Sequence, residues 1–425
     1  MTDDHHDDDE RRLIVFLHGT RCGELNQSRR GATYAFRYSE EWLPDNQPLS
    51  RSLPLRLEPF EYDECQPFFG GLLPEGQARA AVARELRLSE DNDFSLLREL
   101  GGECAGAVSL LPPNIALAVL GDGVEVDWLT ESDLARRLKD LPVHPLLAID
   151  GEPIRLSLAG AQSKVPLYSD GERFAIPLNG TSTTHILKIP IPDLEDTVLN
   201  ECLCLWTAGL VGLAVANAWI SRAEDVPFLV VERYDRERSP EGQVIRIHQE
   251  DLCQALGLPA SRKYEVEGGP SVSDAASLIR ETVSTPARDL PAFMETVAFN
   301  YLIGNGDAHG KNYSLLYAKD ATRVTPAYDL ISTSAYDRLE TKMAMRIGGE
   351  YRPAWVKARH WERFIGDAEM SGRFTRNIVD LAERMPDAVA EARSLLRDEG
   401  FESPVLEGVE SLVRERSTAV LSELR

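Results

Sequence analysis

Hydrophobic side chains between residues 293 and 302 recur at intervals of three and four positions, the period of a helix buried along one face. They are Phe293, Met294, Val297, Ala298, Tyr301 and Leu302. Glycines at 304 and 306 are expected to end this helix. Residues 313–317 form a short apolar run with aromatic ends, which is typical of a strand. The polar segment 304–312 is therefore predicted to be a loop between a helix and a strand.

The same hydrophobic periods predict elements along the rest of the chain. Strands are predicted at 13–17, 32–38, 116–128, 154–158, 165–168, 174–176, 185–189 and 228–231, with a turn at 19–23. Helices are predicted to open at 70–76 and to lie around 94–100 and 198–210. After residue 329 the pattern is mostly that of amphipathic helices. Their predicted core residues are Trp355, Trp361, Phe364, Ile378 and Leu381.

Composition and charge narrow the functional classes. A chain of 425 residues that is 43% hydrophobic can form two or three domains with real cores. Its net charge of -23 disfavours autonomous binding to nucleic acid or an anionic membrane, so a role on DNA would need a basic partner. The six cysteines form no Cys-x-x-Cys pair, and no secretory signal or long apolar segment is present. These features predict a cytoplasmic protein without structural zinc.

The polar loop contains residue types suited to phosphoryl transfer. Asp307 and Asn312 have the spacing of a kinase catalytic loop, in which the Asp accepts the acceptor hydroxyl's proton and the Asn holds magnesium. His309 and Lys311 can offer donors to the developing phosphoryl charge. Asp329 follows a predicted strand, turn and short strand, and is the candidate for a second metal ligand. The tripeptide here is Tyr328-Asp329-Leu330, whereas protein kinases usually have Asp-Phe-Gly, so this match depends on position and charge rather than on the full motif.

Two other interpretations of the loop are possible. It could be a solvated glycine-rich turn, since the pattern D-x-H-x-x-N arises by chance in roughly one chain of this length in twenty. It also resembles a dinucleotide-binding fingerprint, but it follows a helix rather than a strand, and Asp307 would repel a pyrophosphate. The dinucleotide interpretation is therefore discarded, and the context of the loop decides between a solvated turn and a catalytic loop.

A nucleotide site is predicted upstream. Lys188 lies inside an apolar strand, where a lysine can pair with ATP phosphates and with a helix glutamate, for which Glu201 is the candidate. The alternative is an edge-strand lysine that reaches solvent.

A small-residue loop would cover the nucleotide, and its residues are Ala159, Gly160, Ala161, Gln162, Ser163 and Lys164. Glu232 and Tyr234 follow a buried strand, where a hinge would hold adenine. These elements occur in the order of a kinase over roughly 170 residues, which favours a kinase more than any single motif does.

Several motifs together resemble the HipA-type serine/threonine kinases, the toxins of bacterial toxin-antitoxin pairs. In the N-terminal part they are Gly71-Leu72-Leu73-Pro74, Phe94-Ser95-Leu96-Leu97 and Gly106-Ala107-Val108-Ser109-Leu110. Further along they are the run from Ser157 to Lys164, Thr184-His185-Ile186-Leu187-Lys188, Asn200-Glu201, Val231-Glu232-Arg233-Tyr234-Asp235, the run from His248 to Gly257, and the central loop. The resemblance covers nearly the whole chain.

The resemblance implies an α+β, two-lobed protein-kinase-like fold with an added N-terminal α/β subdomain and an all-helical large lobe. The corresponding domains are a HipA-like subdomain at 13–113, a small lobe at 114–234 and a large lobe at 235–425. The acidic leader at 1–12 has no counterpart in the family, and its self-repelling composition predicts that it is disordered. It implies ATP and Mg²⁺ as cofactors, and transfer of phosphate to a cellular protein that causes growth arrest and persistence. It also implies a small helix-turn-helix, HipB-like antitoxin as partner, which would supply the contact with DNA.

The resemblance also implies roles for single residues. Asp307 would be the catalytic base, and Asn312 and Asp329 the metal ligands. Lys188 and the loop from Ala159 to Lys164 would contact the phosphates, and Ser157 would be autophosphorylated.

Two other functions remain open at this stage. A small-molecule kinase can carry the same loop, because it differs mainly in the acceptor pocket. A catalytically silent co-repressor would bind a partner only, but the presence of Asp307, Asn312, Asp329 and Lys188 together argues against it.

Overall fold

The computed structural model describes all of the chain except residues 1–10, 30, 32, 45, 117–123, 147, 150–151, 154–155, 157–158 and 160–161. The described residues form two compact units. The first unit contains the described residues up to Ile189, together with Arg222–Val226 and Asp235–Ala260. The second unit contains Pro190–Ser221, Pro227–Tyr234 and Ser261–Arg425.

Helices and strands are mixed along the chain. The strands are β1 Arg12–Leu17, β2 Thr20–Gln27, β3 Tyr34–Tyr38, β4 Val108–Leu111, β5 Glu125–Trp128, β6 Ala148–Ile149, β7 Glu152–Pro153, β8 Lys164–Ser169, β9 Phe174–Leu178, β10 His185–Lys188, β11 Ala218–Ala223, β12 Val226–Glu232, β13 Arg236–Arg238, β14 Val244–Arg246, β15 His248–Asp251, β16 Ser314–Ala318 and β17 Ala321–Val324. The helices are α1 Tyr62–Gly71, α2 Gly76–Leu86, α3 Asp93–Leu100, α4 Pro113–Ala116, α5 Glu131–Asp140, α6 Thr197–Leu210, α7 Leu252–Ala255, α8 Val272–Thr282, α9 Pro286–Ile303, α10 Ala358–Asp367, α11 Thr375–Asp398 and α12 Pro404–Leu424.

The first unit opens with an antiparallel sheet in the order β3-β2-β1-β4. Alternate residues of β1 and β3 point into a core that also holds the apolar sides of α1 and α3. The sequence predicts β1, β3, α2 and α3 in their observed places. It does not predict β2 or α1, because glycines within both segments were interpreted as turn or helix-opening residues.

Gly23 is such a glycine, and the predicted turn at 19–23 is wrong from Thr20 onward. The reversal is confined to His18 and Gly19, and Gly23 lies within β2 opposite Tyr38. A Cβ atom at Gly23 would lie 2.4 Å from the Arg37 carbonyl oxygen and 2.7 Å from a carbon of the Phe36 ring. The glycine is therefore required by close packing within the sheet rather than by a turn.

A second set of strands in the first unit runs in the order β10-β8-β9-β5, with each neighbouring pair antiparallel. An ionic cluster is buried beside it. Arg236 bonds the carboxylates of Glu103 at 2.7 Å and of Asp235 at 3.0 Å. Glu103 also accepts the amide of Thr183 at 3.1 Å, and Asp235 accepts the amide of Gly106 at 2.7 Å. Each buried carboxylate thus has an opposite charge and a backbone donor, and Arg236 has two carboxylates, which offsets the loss of hydration.

The second unit is mainly helical, and α9 contacts both α11 and α12. The predicted core residues Trp361, Phe364, Ile378 and Leu381 are buried, as expected. Trp355 is 58% exposed and is not a core residue, because it ends a short 3-10 turn where the Arg352 guanidinium covers its ring at 3.7 Å. The expectation of an all-helical large lobe holds from Ala358 onward. Between residues 235 and 357 the short strands β13 to β17 accompany the helices.

All six cysteines are buried and free of disulfides. Burial raises the pKa of Cys22 and of Cys65 to about 12, so these thiols stay protonated at neutral pH. No helix in the described part of the chain has both the length and the apolarity needed to cross a membrane.

We expect Gly23→Ala to lower the free energy of unfolding by about 1–3 kcal/mol, since the added methyl group has no room in the sheet. Denaturant titration of the purified protein measures this change. Gly408→Ala is the matched control, because a Cβ at Gly408 in α12 meets no atom within 4 Å. That substitution should leave stability unchanged or raise it by up to about 1 kcal/mol. Equal stability of the two variants would contradict the packing role of Gly23.

Candidate active site

The candidate catalytic loop begins where α9 ends. Gly304 has a φ of +78° and caps the helix, with its amide donating to the carbonyl oxygens of Asn300 and Tyr301. A Cβ at Gly304 would lie 2.5 Å from Leu412 Cδ2, so the helix end packs against α12 too closely for a side chain. The side chain of Asn300 then bonds the Tyr313 hydroxyl at 3.0 Å, which ties the last turn of α9 to the start of β16. As predicted, the loop is held between helix and strand.

Side-chain hydrogen bonds fix the first half of the loop. Asn305 Oδ1 accepts from the Asp307 amide at 3.0 Å, and its Nδ2 donates to Asn300 Oδ1 at 3.0 Å. The hydroxyl oxygen of Thr333 accepts from the Gly306 amide at 2.7 Å. Gly306 has no room for a side chain, because a Cβ there would lie 2.9 Å from the Lys342 carbonyl oxygen. The backbone leading into Asp307 is therefore set by contacts with α9 and with residues 333–342.

The second half of the loop turns back through a short 3-10 helix, Gly310–Asn312. The His309 amide donates to the Asp307 carbonyl at 2.8 Å, and the Asn312 amide donates to the His309 carbonyl at 2.9 Å. Asp307 is exposed, whereas His309, Lys311 and Asn312 are buried. A carboxylate at the surface of a rigid loop can meet an incoming hydroxyl, which is the geometry that a general base requires.

Asn312 and Asp329 meet, as the sequence predicts. Asn312 Nδ2 donates to Asp329 Oδ2 at 2.9 Å, which assigns the amide nitrogen to the carboxylate side and leaves Oδ1 on the other. Asn312 Oδ1 is buried and has no hydrogen-bond partner within the described residues. A buried acceptor of this kind usually has a partner. An amide oxygen and a carboxylate on two contacting side chains are donor types that fit Mg²⁺, with phosphate or water oxygens as the remaining ligands.

Asp329 adopts a left-handed backbone conformation, with a φ of +56°. This conformation is uncommon for a residue other than glycine, and the surrounding structure must impose it. On one side, Ala327 exchanges backbone hydrogen bonds with Ala214 and Ala216 at 2.8 and 2.9 Å. On the other side, the buried amide of Asn200 in α6 bonds both the amide and the carbonyl of Ser332, at 2.9 and 3.0 Å. Both ends of the segment are thus held.

Tyr234, predicted to contact adenine, lies near this segment. Its ring centroid is 5.4 Å from that of Tyr328, the residue before Asp329. The Tyr328 hydroxyl donates to the Lys311 carbonyl oxygen at 2.8 Å. Tyr234, Tyr328 and the catalytic loop are therefore in one connected set of contacts. Glu232 is exposed, and its carboxylate accepts from Asn217 Nδ2 at 3.0 Å.

The predicted phosphate-binding residues of the first unit occupy β8, β10 and the segment before them. Lys188 is buried on β10, directly opposite Lys164 of β8. Lys164 begins β8 rather than lying in the loop, and its ammonium group donates to the Ala159 carbonyl oxygen. Gln162 Nε2 donates to the Ile189 carbonyl oxygen at 3.0 Å. The small-residue loop is therefore linked to the end of the strand that carries Lys188.

The hydrogen bonds described above do not join the other predicted site residues to Lys188 or to the catalytic loop. Ser163 is half-buried, and Glu201 is buried on α6. The pairing of Glu201 with Lys188 stays a prediction. Ser157, Gly160, Ala161 and residues 1–10 of the acidic leader lie outside the described residues.

One residue that contacts the loop was missed. The Tyr264 hydroxyl donates to Asp307 Oδ1 at 2.5 Å. Local pattern could not have identified this contact, because the two residues are 43 positions apart and Tyr264 lies between two short 3-10 turns. The role of Asn200 as an anchor was also missed, although a polar residue within the apolar stripe of α6 is a signal that could have indicated it.

The comparisons with known proteins agree with this architecture. Residues 13–111 match the HipA N-terminal domain, and residues 156–392 match the HipA-like C-terminal domain. The protein Y4mE of Sinorhizobium fredii is 46% identical over 384 residues, which cover 89% of this chain and 91% of that protein. The serine/threonine-protein kinase toxin HipA of Shewanella oneidensis is 32% identical over 400 residues, which cover 90% of each chain.

A solved structure also matches over nearly the whole chain. It is the HipA of Shewanella oneidensis MR-1 in a complex with HipB and its operator DNA. The TM-score is 0.80 at 30% sequence identity, with 97% of this chain and 96% of that chain covered. The match confirms the predicted fold class, an α+β kinase-like fold with an added N-terminal subdomain. With both domains of the family present in order, this protein belongs to the HipA family.

Proposed function

We propose that this protein is a serine/threonine protein kinase that transfers the γ-phosphate of ATP to a cellular protein, and that it is the toxin of a HipA-type toxin-antitoxin pair. The observation that carries the proposal is the contact between the side chains of Asn312 and Asp329, in which the buried amide oxygen of Asn312 lacks a hydrogen-bond partner within the described residues. The kinase toxin of Shewanella oneidensis, which is 32% identical, supports the same function.

In this mechanism Asp307 accepts the proton of the acceptor hydroxyl as that oxygen bonds to the γ-phosphorus. Asn312 and Asp329 would hold Mg²⁺, which when bound neutralises phosphate charge. Lys311 and His309 are buried beside the base and would offer positive charge or N–H donors to the transferred group. The proton thus moves to Asp307, and ADP leaves.

The remaining predicted residues would bind the nucleotide. Lys188 would pair with phosphate oxygens, and the loop from Ala159 to Lys164, including Gly160, Ala161, Gln162 and Ser163, would cover them. Tyr234 would pack against adenine, for which its contact with Tyr328 gives a fixed surface. Glu232 would lie beside the adenine.

The partner we propose is a small helix-turn-helix antitoxin similar to HipB. The Shewanella oneidensis relative was solved with HipB and operator DNA, which supports such a partner for this chain. The net charge of -23 favours contact with DNA through the antitoxin rather than directly. We also propose that the protein acts in the cytoplasm and that its activity arrests growth.

Asp307→Asn should reduce phosphotransfer by roughly 10²–10⁴-fold while leaving the fold intact, because the amide keeps the shape of the side chain but cannot act as the base. Transfer of ³²P from γ-labelled ATP to a heat-treated bacterial lysate measures this. Asp320→Asn, in the exposed turn between β16 and β17, is the control and should keep full activity. Normal turnover by Asp307→Asn would overturn the assignment of the base. Label confined to small metabolites would instead identify a small-molecule kinase.

Asp329→Asn should weaken Mg²⁺-dependent ATP binding at least tenfold, because it removes the only charge of the proposed ligand pair. Asparagine also tolerates the left-handed backbone at this position, so the substitution adds little strain. The thermal stabilisation by Mg²⁺ and ATP, measured across ATP concentrations, reports the change in affinity. Asp193→Asn is the matched control, since Asp193 is an exposed aspartate with a φ of +66°. Identical Mg²⁺ dependence in both variants would rule out Asp329 as a ligand.

We further propose that Ser157 is autophosphorylated as a brake, since a phosphate would add about -1.5 to -2 charges just before, in sequence, the loop proposed to contact the ATP phosphates. Mass spectrometry after incubation with Mg²⁺ and ATP should find phosphate on Ser157 in the wild type and none there in Asp307→Asn. Ser157→Ala should stay active. Full activity with Ser157 quantitatively phosphorylated, or phosphate found only on other residues, would refute the brake.

A further inference from the structure

The hydroxyl of Tyr264 bonds the proposed catalytic base directly. Its oxygen lies 2.5 Å from Asp307 Oδ1, and the phenol donates because the carboxylate can only accept. The same ring packs edge-on against His309, with centroids 5.2 Å apart and planes at 87°. One side chain therefore contacts two of the three loop residues proposed to take part in phosphotransfer.

The backbone around Tyr264 is fastened to both ends of the catalytic loop. The Lys263 carbonyl accepts from the Gly310 amide at 3.0 Å. The Glu265 amide donates to the Ala344 carbonyl at 3.1 Å, and the Ala344 amide donates to the Gly306 carbonyl at 2.9 Å. Tyr264 thus sits between two residues that are joined to the loop before and after Asp307.

Further bonds hold the same segment from its other side. The Glu265 carboxylate accepts from the Arg346 amide at 2.7 Å and pairs with its guanidinium at 3.2 Å. The Gly269 amide donates to the Tyr264 carbonyl at 2.9 Å, and a Cβ at Gly269 would lie 2.4 Å from the Arg262 carbonyl oxygen. The chain at 262–269 is therefore a closed turn, and the Tyr264 side chain extends from a fixed backbone segment.

An exposed carboxylate such as Asp307 has rotational freedom that a general base must lose before it can act. We propose that Tyr264 is a positioning residue for phosphotransfer: its hydroxyl fixes the orientation of the Asp307 carboxylate, and its ring fixes His309. This inference rests on the proposed function, because it takes Asp307 as the base. The tyrosine acts through Asp307 and does not itself bind ATP.

Two other roles are compatible with the hydrogen bond alone. Tyr264 could be a phosphate acceptor, or it could occupy the acceptor's place and be displaced by substrate. Displacement requires the hydroxyl to leave the carboxylate in each reaction, and the bonds that join Lys263 and Glu265 to the loop hold it there instead. An acceptor would keep the hydrogen bond until its proton passed to Asp307, so phosphate found on Tyr264 would distinguish this role from positioning.

The test is Tyr264→Phe, which keeps the ring and its contact with His309 but removes the hydroxyl. The probe is γ-³²P-ATP with a heat-treated bacterial lysate as acceptor, at varied ATP concentration. We expect the maximal rate to fall roughly ten- to a hundredfold, with the KM for ATP unchanged, because only the orientation of the base is lost. The thermal stabilisation by Mg²⁺ and ATP should equal that of the wild type. A variant that was merely misfolded would lose both the maximal rate and the thermal stabilisation by Mg²⁺ and ATP.

Tyr301→Phe is the matched control. It also removes one tyrosine hydroxyl of the second unit, which bonds the Pro353 carbonyl at 3.2 Å, and it should keep the wild-type maximal rate within about twofold. Wild-type rates in Tyr264→Phe, with Asp307→Asn inactive, would refute positioning while the proposed kinase function stands. A faster Tyr264→Phe would show displacement, and phosphate on Tyr264 in the wild type would show an acceptor, so either result overturns the inference. An inactive wild type would remove the kinase function and the inference with it.

Discussion

The hydrogen bond from Asn312 to Asp329 joins two loops that are 17 residues apart in sequence, and the geometry of the candidate site depends on it. It uses the amide nitrogen of Asn312 and so turns the amide oxygen away from the carboxylate. That oxygen is left buried without a hydrogen-bond partner in the described chain, and Asp329 is left in a left-handed conformation. Each of these features is unfavourable for folding by an amount on the order of 1–3 kcal/mol. Their coincidence at two adjacent side chains is more readily explained by ligand binding than by stability.

The unfavourable features persist because the surrounding bonds over-determine them. Asn200 holds the backbone of Ser332 from α6, and Thr333 holds Gly306 from the following turn. The segment that carries Asp329 therefore also supports the loop that carries Asp307. A substitution in either segment should disturb both, so effects of paired substitutions here should not be additive.

Much of the fold could be predicted from the sequence, and the reasons are specific. The apolar period of α9 and the glycine at 304 define a helix that ends before the loop, and the apolar run at 313–317 defines β16 to within one residue. Gly23 was misinterpreted because a glycine required by packing and a glycine in a turn look alike in sequence. Trp355 was misinterpreted because a proline-led turn interrupts the helical pattern there and faces it outward.

The candidate site also contains one association that the sequence predicted and one contact that it did not. The association of Asn312 with Asp329 followed from the order of strands, since β16 and β17 pair through a short turn and return the chain to the loop. The contact of Tyr264 with Asp307 did not, because it spans 43 residues and depends on the closed turn at 262–269. Sequence order predicts which residues the strands bring together, whereas the bonds that orient those residues come from segments without a periodic pattern.

The strongly acidic chain places a further demand on this site. A net charge of -23 opposes the approach of a polyanionic nucleotide at the surface. Screening limits that field to about 8 Å at physiological salt, so groups within the site decide the outcome once the nucleotide is bound. There the buried Lys311 directly precedes Asn312, and the carboxylate of Asp329 adds negative charge until a cation binds to it. Under the proposed function, neutralisation by Mg²⁺ is therefore needed for binding as well as for chemistry, and metal and nucleotide should bind cooperatively.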